Sequence, residues 1–264
     1  MMQIDGAATR PQAFYAGPIV RRHMVTMNSG IDLTAATKTR ALLTCGAIGG
    51  PLFIVVFLIV GATRADYSAF LHPISSLSYG DLGWTQAANF IITGLLFLTF
   101  AIGLRRVFRV QTEPSNGSFW GPVLLGLMGI GLIGAGLFTA DPLNGYPPGT
   151  PLISTERSPS GFVHDLFGIP IFLGLPINCF VFSRRFVKQG NKGWSIYSAL
   201  SGIAVLAFFI LADIGFFQVP VFVEIAGLLQ RVSIAAGWMW ISLLAIHFLR
   251  DRSWLAVHET NIKP

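Results

Sequence analysis

Six long apolar runs are separated by gaps that alternate between basic and acidic, and that alternation is the signature of a chain threaded back and forth through a bilayer. The runs cover roughly 41–62, 84–104, 120–140, 162–182, 194–214 and 225–248. Each has about the 20 residues an α-helix needs to cross the hydrocarbon core. No water is available there for backbone N–H and C=O groups, so such segments close their hydrogen bonds internally as helices. The chain is 53% hydrophobic and only 11% charged, against about 25% charged in soluble domains. The expected fold class is all-α: a polytopic membrane bundle of six transmembrane helices.

The basic residues orient the loops. Of the 18 Lys and Arg, all but Arg64, Arg157 and Arg231 lie in the two tails or in the 2–3 and 4–5 gaps. These are Arg10, Arg21, Arg22, Lys38 and Arg40, then Arg105, Arg106 and Arg109, then Arg184, Arg185, Lys188 and Lys192, then Arg250, Arg252 and Lys263. The positive-inside bias puts both termini in the cytoplasm and gaps 1–2, 3–4 and 5–6 outside a bacterial plasma membrane. Termini on one side require an even number of spans, which agrees with six. The net charge of +6 therefore sets topology. No nucleic acid is expected as a partner, and membrane lipids are. The Asn116-Gly117-Ser118 sequon falls on the cytoplasmic side and is discounted. Cys45 and Cys179 form no motif, and no structural disulfide is expected in a reducing compartment.

Residues 1–38 show no apolar period and read as a disordered tail, 39–250 as the transmembrane domain and 251–264 as a second tail. Met24 and Met27 leave a later translation start open. The first run is too long for a signal-peptide core and no cleavage site follows it, so it reads as a retained anchor. The six Trp residues mostly sit near span ends, as an aromatic belt would place them. Ala65-Asp66, Ala140-Asp141 and Ala212-Asp213 recur at spacings of 75 and 72 residues. They suggest three repeated helical hairpins, with chance similarity among apolar segments as the alternative. The third run holds Gly121, Gly126, Gly129, Gly131, Gly134 and Gly136. Small residues let backbones approach closely, so this helix is expected at the bundle centre.

The expected outer side carries Asp66, Asp81, Asp141, Glu156, Asp165, Asp213 and Glu224, seven of twelve acids, together with His72 and His164. Acids contribute little to topology, so insertion does not demand this asymmetry. In the first outer loop Pro73 disfavours helix at His72, and Ser75 or Ser76 can cap a short helix after it. An ordered interfacial loop is the plain reading. The functional one has His72 and Ser75 facing a cavity. The second outer loop, Asp141 to Gly161, is long enough to act as a lid. His164 and Asp165 open the fourth span about 100° apart on the helix, so at most one faces the centre squarely. Gln230 and Arg231 lie about two turns into the last span. A charge at that depth costs a few kcal/mol unless it is paired or hydrated. Asp213, Asp165 and Asp141 are its candidate partners, and a structural ion pair is favoured over an anionic headgroup or substrate. Asn89 and Gln86 fit interhelical hydrogen bonding or a ligand contact equally well. His72, Asp141 and His164 have donor atoms suitable for zinc, but no close His spacing fixes a metal. No cofactor is expected.

Four short motifs in order carry a resemblance: His72-Pro73-Ile74-Ser75; Gly83-Trp84 with Gln86, Asn89 and Phe90; Ala140-Asp141-Pro142; and Gly161 with His164-Asp165. Across about residues 42 to 248 the chain resembles the prokaryotic membrane family called domain of unknown function 998. The resemblance implies six helices and no established activity. Its motif residues coincide with the acidic cluster found from charge placement.

Three functions compete. One is an outward-facing polar pocket between the second, fourth and sixth helices that binds a lipid headgroup or small polar ligand, lined by His72, Ser75, Asn89, Asp141, His164 and Asp165, with Arg231 as anion partner. The second is a membrane-embedded lipid hydrolase, metal-dependent or working through a His/Asp pair. It is weakened by the helix count and the missing paired His near the last helix. The third is a small-solute transporter. Pro170 and Pro176 interrupt the fourth helix, but polar residues gather near one interface rather than at the midplane.

Overall fold

The computed structural model describes residues 18–109, 116–153 and 156–251. The described residues form helices joined by turns, with no strand among them. The order is α1 (Pro18–Ala62), a 3₁₀ turn (Ile74–Ser78), α2 (Gly83–Arg109), α3 (Asn116–Leu137), α4 (Pro159–Phe172), α5 (Gly174–Lys188), α6 (Lys192–Phe216), the short α7 (Pro220–Val223) and α8 (Ala226–Arg250). Six spans are long and apolar enough to cross a membrane: Thr34–Ala62, Gly83–Arg109, Gly117–Leu137, Pro159–Lys188, Lys192–Phe216 and Ala226–Arg250. Each expected apolar run lies within one of these or overruns it by a few residues. The chain is an all-α, multi-pass bundle.

One boundary differs from expectation, and one interruption falls where the prolines place it. First, α1 begins at Pro18, so residues 18–38 of the expected tail are helical. Pro18 suits a first helical position, and no further proline interrupts until Pro51. The chain divides into compact units at Lys38 and Thr39. Residues 1–17, the 252–264 part of the second tail, and the alternative start sites' effect on the chain's beginning lie outside the described residues or its reach. Second, the fourth span is two helices, α4 and α5, meeting at Leu173. Pro170 and Pro176 cannot donate to the carbonyls one turn earlier, so the axis bends between them. Backbone bonds from Leu173 N to Ile169 O (2.9 Å) and Ile177 N to Leu173 O (3.4 Å) keep the joint closed.

Lipid tails are as apolar as leucine, so packing rather than water exclusion must hold such helices together. Two devices supply it. A β-carbon built on Gly94 of α2 would lie 2.6 Å from the Gly129 carbonyl oxygen of α3, and one on Gly129 would lie 2.7 Å from the Gly94 carbonyl. The two backbones therefore touch. On its other side α3 receives the Phe167 ring over Gly134. The glycine-rich helix is thus pressed between α2 and α4–α5. The last span is the most enclosed of the six. Trp238 and Trp240 of α8 are fully buried and contact Phe53, Phe97 and Phe182 at ring distances of 5.5–5.7 Å. Such aromatic pairs contribute about 0.5–1.5 kcal/mol each beyond area burial. These two tryptophans do not belong to an aromatic belt. They occupy mid-helix positions, and Trp240 Nε1 donates to Ser198 Oγ (3.0 Å). Trp84 and Trp120 are exposed, as a belt requires.

The two ends of the bundle differ chemically. At one, arginines finish the helix ends. Arg40 donates to the Leu249 carbonyl, Arg105 to the Ser118 carbonyl, and the buried Arg185 to Ser118 Oγ (2.6 Å) while lying 4.2 Å over the Phe108 ring. The opposite end gathers the connections after α1, α3 and α6, with their acids and the two histidines of interest.

Candidate functional site: a cavity at the acidic end

Two separate constructions occupy the acidic end. The first is a buried lock between the α1–α2 connection and α8. Arg231 Nη1 donates to the His72 carbonyl (3.0 Å) and the Gly227 carbonyl (2.8 Å), and Nη2 donates to the Tyr67 hydroxyl. Tyr67 in turn donates to the Pro73 carbonyl (3.1 Å). Gln230 Oε1 accepts from Ile74 N (2.9 Å). The loop reaches α8 this closely because position 227 is glycine: a β-carbon there would lie 2.5 Å from the His72 carbonyl oxygen.

His72 sits inside this lock, not on a cavity wall. Its Nδ1 accepts from Ser68 N (2.9 Å), and its ring packs 5.1 Å from Tyr146, which also meets Tyr67 at 5.3 Å. Burial pushes the imidazole below its ordinary pKa, against a raising hydrogen bond with the Asn144 backbone, and the Arg231 charge lowers it further. His72 is therefore neutral at neutral pH. Burial raises the Tyr67 phenol, outweighing the lowering pull of Arg231, so it too is neutral. The α3–α4 connection is pinned here as well. Asn144 donates through Nδ2 to the Leu71 carbonyl (3.0 Å) and accepts from Gln218 Nε2.

Among the described residues Arg231 thus has no carboxylate partner. The expected ion pair to Asp141, Asp165 or Asp213 is replaced by carbonyl and phenol oxygens, which the folded loop brings to the guanidinium. Among the described residues the one ion pair is Arg157–Asp165 at 2.9 Å, more than half exposed on the arginine side. Asn89 is likewise a packing residue, donating to the Phe53 carbonyl (3.1 Å) and near Gln86 Oε1 (3.4 Å).

The second construction is a cavity of about 420 Å³. Its walls include Ser75, Asp141, Arg157, His164, Asp165, Asp213 and Gln230, with Phe172, Leu173, Phe209, Phe216 and Phe217. A smaller chamber of about 50 Å³ continues inward, sharing Ser75, His164, Gly168, Phe172 and Gln230 and adding Phe90, Ile234 and Trp238. Of the seven expected site residues, Ser75, Asp141, His164 and Asp165 converge on it, whereas His72, Asn89 and Arg231 do not. Its walls come from α4 and its joint at Leu173, from the end of α6, from the α1–α2 and α3–α4 connections and from Gln230 of α8. The expected second helix reaches only the inner chamber, through Phe90.

Local chemistry places each wall residue. Ser158 N-caps α4, its Oγ accepting from Gly161 N (2.9 Å). Asp141 accepts from Ser158 Oγ (2.5 Å) and Ser158 N (3.1 Å). Gly161 admits this carboxylate, since a β-carbon would lie 2.2 Å from Asp141 Oδ2. Ser158→Ala is expected to cost about 1–2 kcal/mol, as lost caps do, and to release Asp141; thermal unfolding in micelles reads it. His164 Nδ1 donates to the carbonyls of Ala135 (3.1 Å) and Phe138 (2.8 Å) at the end of α3. That assignment leaves Nε2 as an acceptor. Tyr79 donates to the Ala140 carbonyl. Its phenol is raised far above its usual pKa, first by burial and then by the Asp141 and Asp165 charges. No group of three or more His, Cys, Asp or Glu among the described residues is arranged to hold a metal ion. His72 faces the lock while Asp141 and His164 face the cavity, so the three candidate zinc donors do not meet.

The family described as protein of unknown function (DUF998) matches residues 47–247. The chain belongs to this family. Every residue of the cavity and of the lock lies inside the matched stretch of this DUF998 member. No curated protein and no solved structure matches the chain.

Asp213, Gln230 and Arg157 are wall residues that the sequence did not assign to a site. The signal for Asp213 was present: a carboxylate inside an apolar span is costly without a role.

Proposed function

We propose that this multi-pass membrane protein binds an amphiphile, a lipid headgroup with its chain, in the cavity at its acidic end. The observation that carries the reading is the gradient across the cavity wall. Carboxylates, His164, Ser75 and Gln230 line one part, and the rest is apolar and continuous with the exposed side chains Ile169, Leu173 and Phe217. A site for a fully soluble ligand has no need of an apolar opening on the lipid-facing surface. A site for a lipid does. Positive charge at the other end supports an acidic end outside the plasma membrane of a bacterium, with both termini in the cytoplasm. Reporter fusions at Asn144 and Gly190 test this orientation, the first being expected outside and the second inside.

Gly168 provides the test of binding. It lies on the walls of both chambers, and a β-carbon there would meet nothing closer than the Phe172 ring at 4.0 Å. Gly168→Leu therefore fills the cavity without a backbone clash, and leucine favours the helix by about 1 kcal/mol. Native mass spectrometry of protein released from maltoside micelles is expected to show a retained lipid on the wild type. The Gly168→Leu variant is expected to lose it, with its unfolding midpoint unchanged or higher. Equal retention by both proteins contradicts the reading.

A further inference from the structure

Resting on that binding reading, we infer that the ligand is a cationic amphiphile, its ammonium group held by Asp213 and its chain leaving between α4 and α6 into the lipid. The argument begins with a charge inventory of the walls. Three carboxylates face one guanidinium. Arg157 is paired to Asp165 at 2.9 Å. Asp141 is held by Ser158, and with it meets the positive N-terminus of α4. Asp213 has neither ion pair nor side-chain hydrogen bond among the described residues. It is also in the last turn of α6, where the helix's own carbonyl groups add negative potential. Of the Asp and Arg side chains on the wall, the exposed Asp213 alone thus has no counter-ion or capping donor among the described residues.

The surroundings of Asp213 suit an alkylammonium. Phe209, Phe216 and Phe217 share its wall, and aromatic faces attract such cations. Phe172 stacks on Phe209 at 4.3 Å and 12° between rings, bridging α4 and α6. Beside that bridge, Ile169, Leu173 and Phe217 are 51%, 47% and 70% exposed and form an apolar path from the cavity to the bilayer. An independent feature is an unpartnered polar group on the wall of the inner chamber. Trp238 is 1% exposed, forms part of the inner chamber wall, and its Nε1–H has no acceptor. Buried donors are nearly always satisfied.

The test titrates thermal unfolding of the protein in neutral maltoside micelles with dodecylamine, dodecanol and dodecanoic acid. A ligand that binds only the native state raises the midpoint by mass action, which gives an apparent Kd. Wild type is expected to bind the amine at least about tenfold more tightly than the alcohol, the range of one charge-assisted hydrogen bond, and the acid most weakly. Asp213→Asn is expected to bring amine and alcohol within about twofold of each other while alcohol binding is unchanged; Asp213→Ser serves if that variant fails to fold. Equal binding of amine and alcohol by wild type, or an amine preference that survives both substitutions, overturns the inference and leaves the binding reading standing. No binding of any of the three overturns both.

Discussion

Arg231→Met is expected to destabilise the bundle by about 3 kcal/mol or more, since each of three buried acceptors left without its donor costs about 1–3 kcal/mol. At about 2–4 °C per kcal/mol for a chain of this size, the unfolding midpoint in micelles falls by roughly 10 °C. Methionine fills similar volume, so the loss comes from hydrogen bonds rather than from a cavity. Three acceptors lose their donor: the His72 and Gly227 carbonyls and the Tyr67 hydroxyl. Two of them belong to the α1–α2 connection, so the loop should detach from α8 as well. Protease sensitivity between Asp66 and Asp81 reports that detachment separately from global unfolding. Arg231→Lys keeps the charge but not the planar fork and is expected to fall between. Arg157→Met removes an exposed pair and should cost no more than about 1 kcal/mol. A loss for Arg231→Met as small as that for Arg157→Met would mean that the network does not hold the loop.

The second large effect is steric. Gly94→Val places a branched β-carbon where the Gly129 carbonyl oxygen (2.6 Å), Ile133 Cγ1 (2.8 Å) and Ile133 N (3.0 Å) already stand. Two of these are backbone atoms and cannot rotate away, so α2 and α3 must separate along their contact. Overpacking a core costs about 1–3 kcal/mol when side chains can adjust, and here the expected loss is at or above the upper figure. Gly126→Ala, on the same glycine-rich helix, is the control. Its added carbon meets Leu98 Cδ1 at 3.7 Å and the Ala101 β-carbon at 3.9 Å, ordinary contacts, so the midpoint should hold or rise slightly. Equal effects of the two substitutions would remove the claim of direct backbone contact.

These residues also show what the sequence could and could not disclose. The spans were legible because bilayer thickness fixes their length and charge bias fixes their order, two constraints that act locally on the chain. The buried charge at Arg231 was legible for the same reason: its depth in the last span follows from counting residues. Its partners were not. One is a carbonyl oxygen of a loop some 160 residues earlier in the chain and one a carbonyl of its own helix, and every residue has a carbonyl; the third, the Tyr67 hydroxyl, belongs to one tyrosine among five. His72 and Asn89 were misassigned by a related limit. A buried polar side chain looks the same in sequence whether it faces a cavity or a backbone carbonyl. Asp141, His164 and Asp165 were legible as a cluster because seven of the twelve acids and two histidines fall in gaps on one side of the bundle. The bend at Leu173 was foreshadowed by Pro170 and Pro176. That it shapes the opening of the cavity depends on α6 standing opposite, a tertiary fact. Trp238 and Trp240, in mid-span, belong to the core, whereas Trp84 and Trp120, near span ends, are exposed.

The central claim is that the cavity takes an amphiphile whose chain lies between α4 and α6. The most direct measurement is photo-crosslinking in liposomes with a long-chain amine carrying a diazirine in its chain, mapped by peptide mass spectrometry. Adducts concentrated on Ile169, Leu173 and Phe217, and lost in Gly168→Leu, are the predicted result. Adducts spread evenly over other lipid-facing positions such as Ile48, Val55 and Leu95, and unchanged in Gly168→Leu, would contradict it.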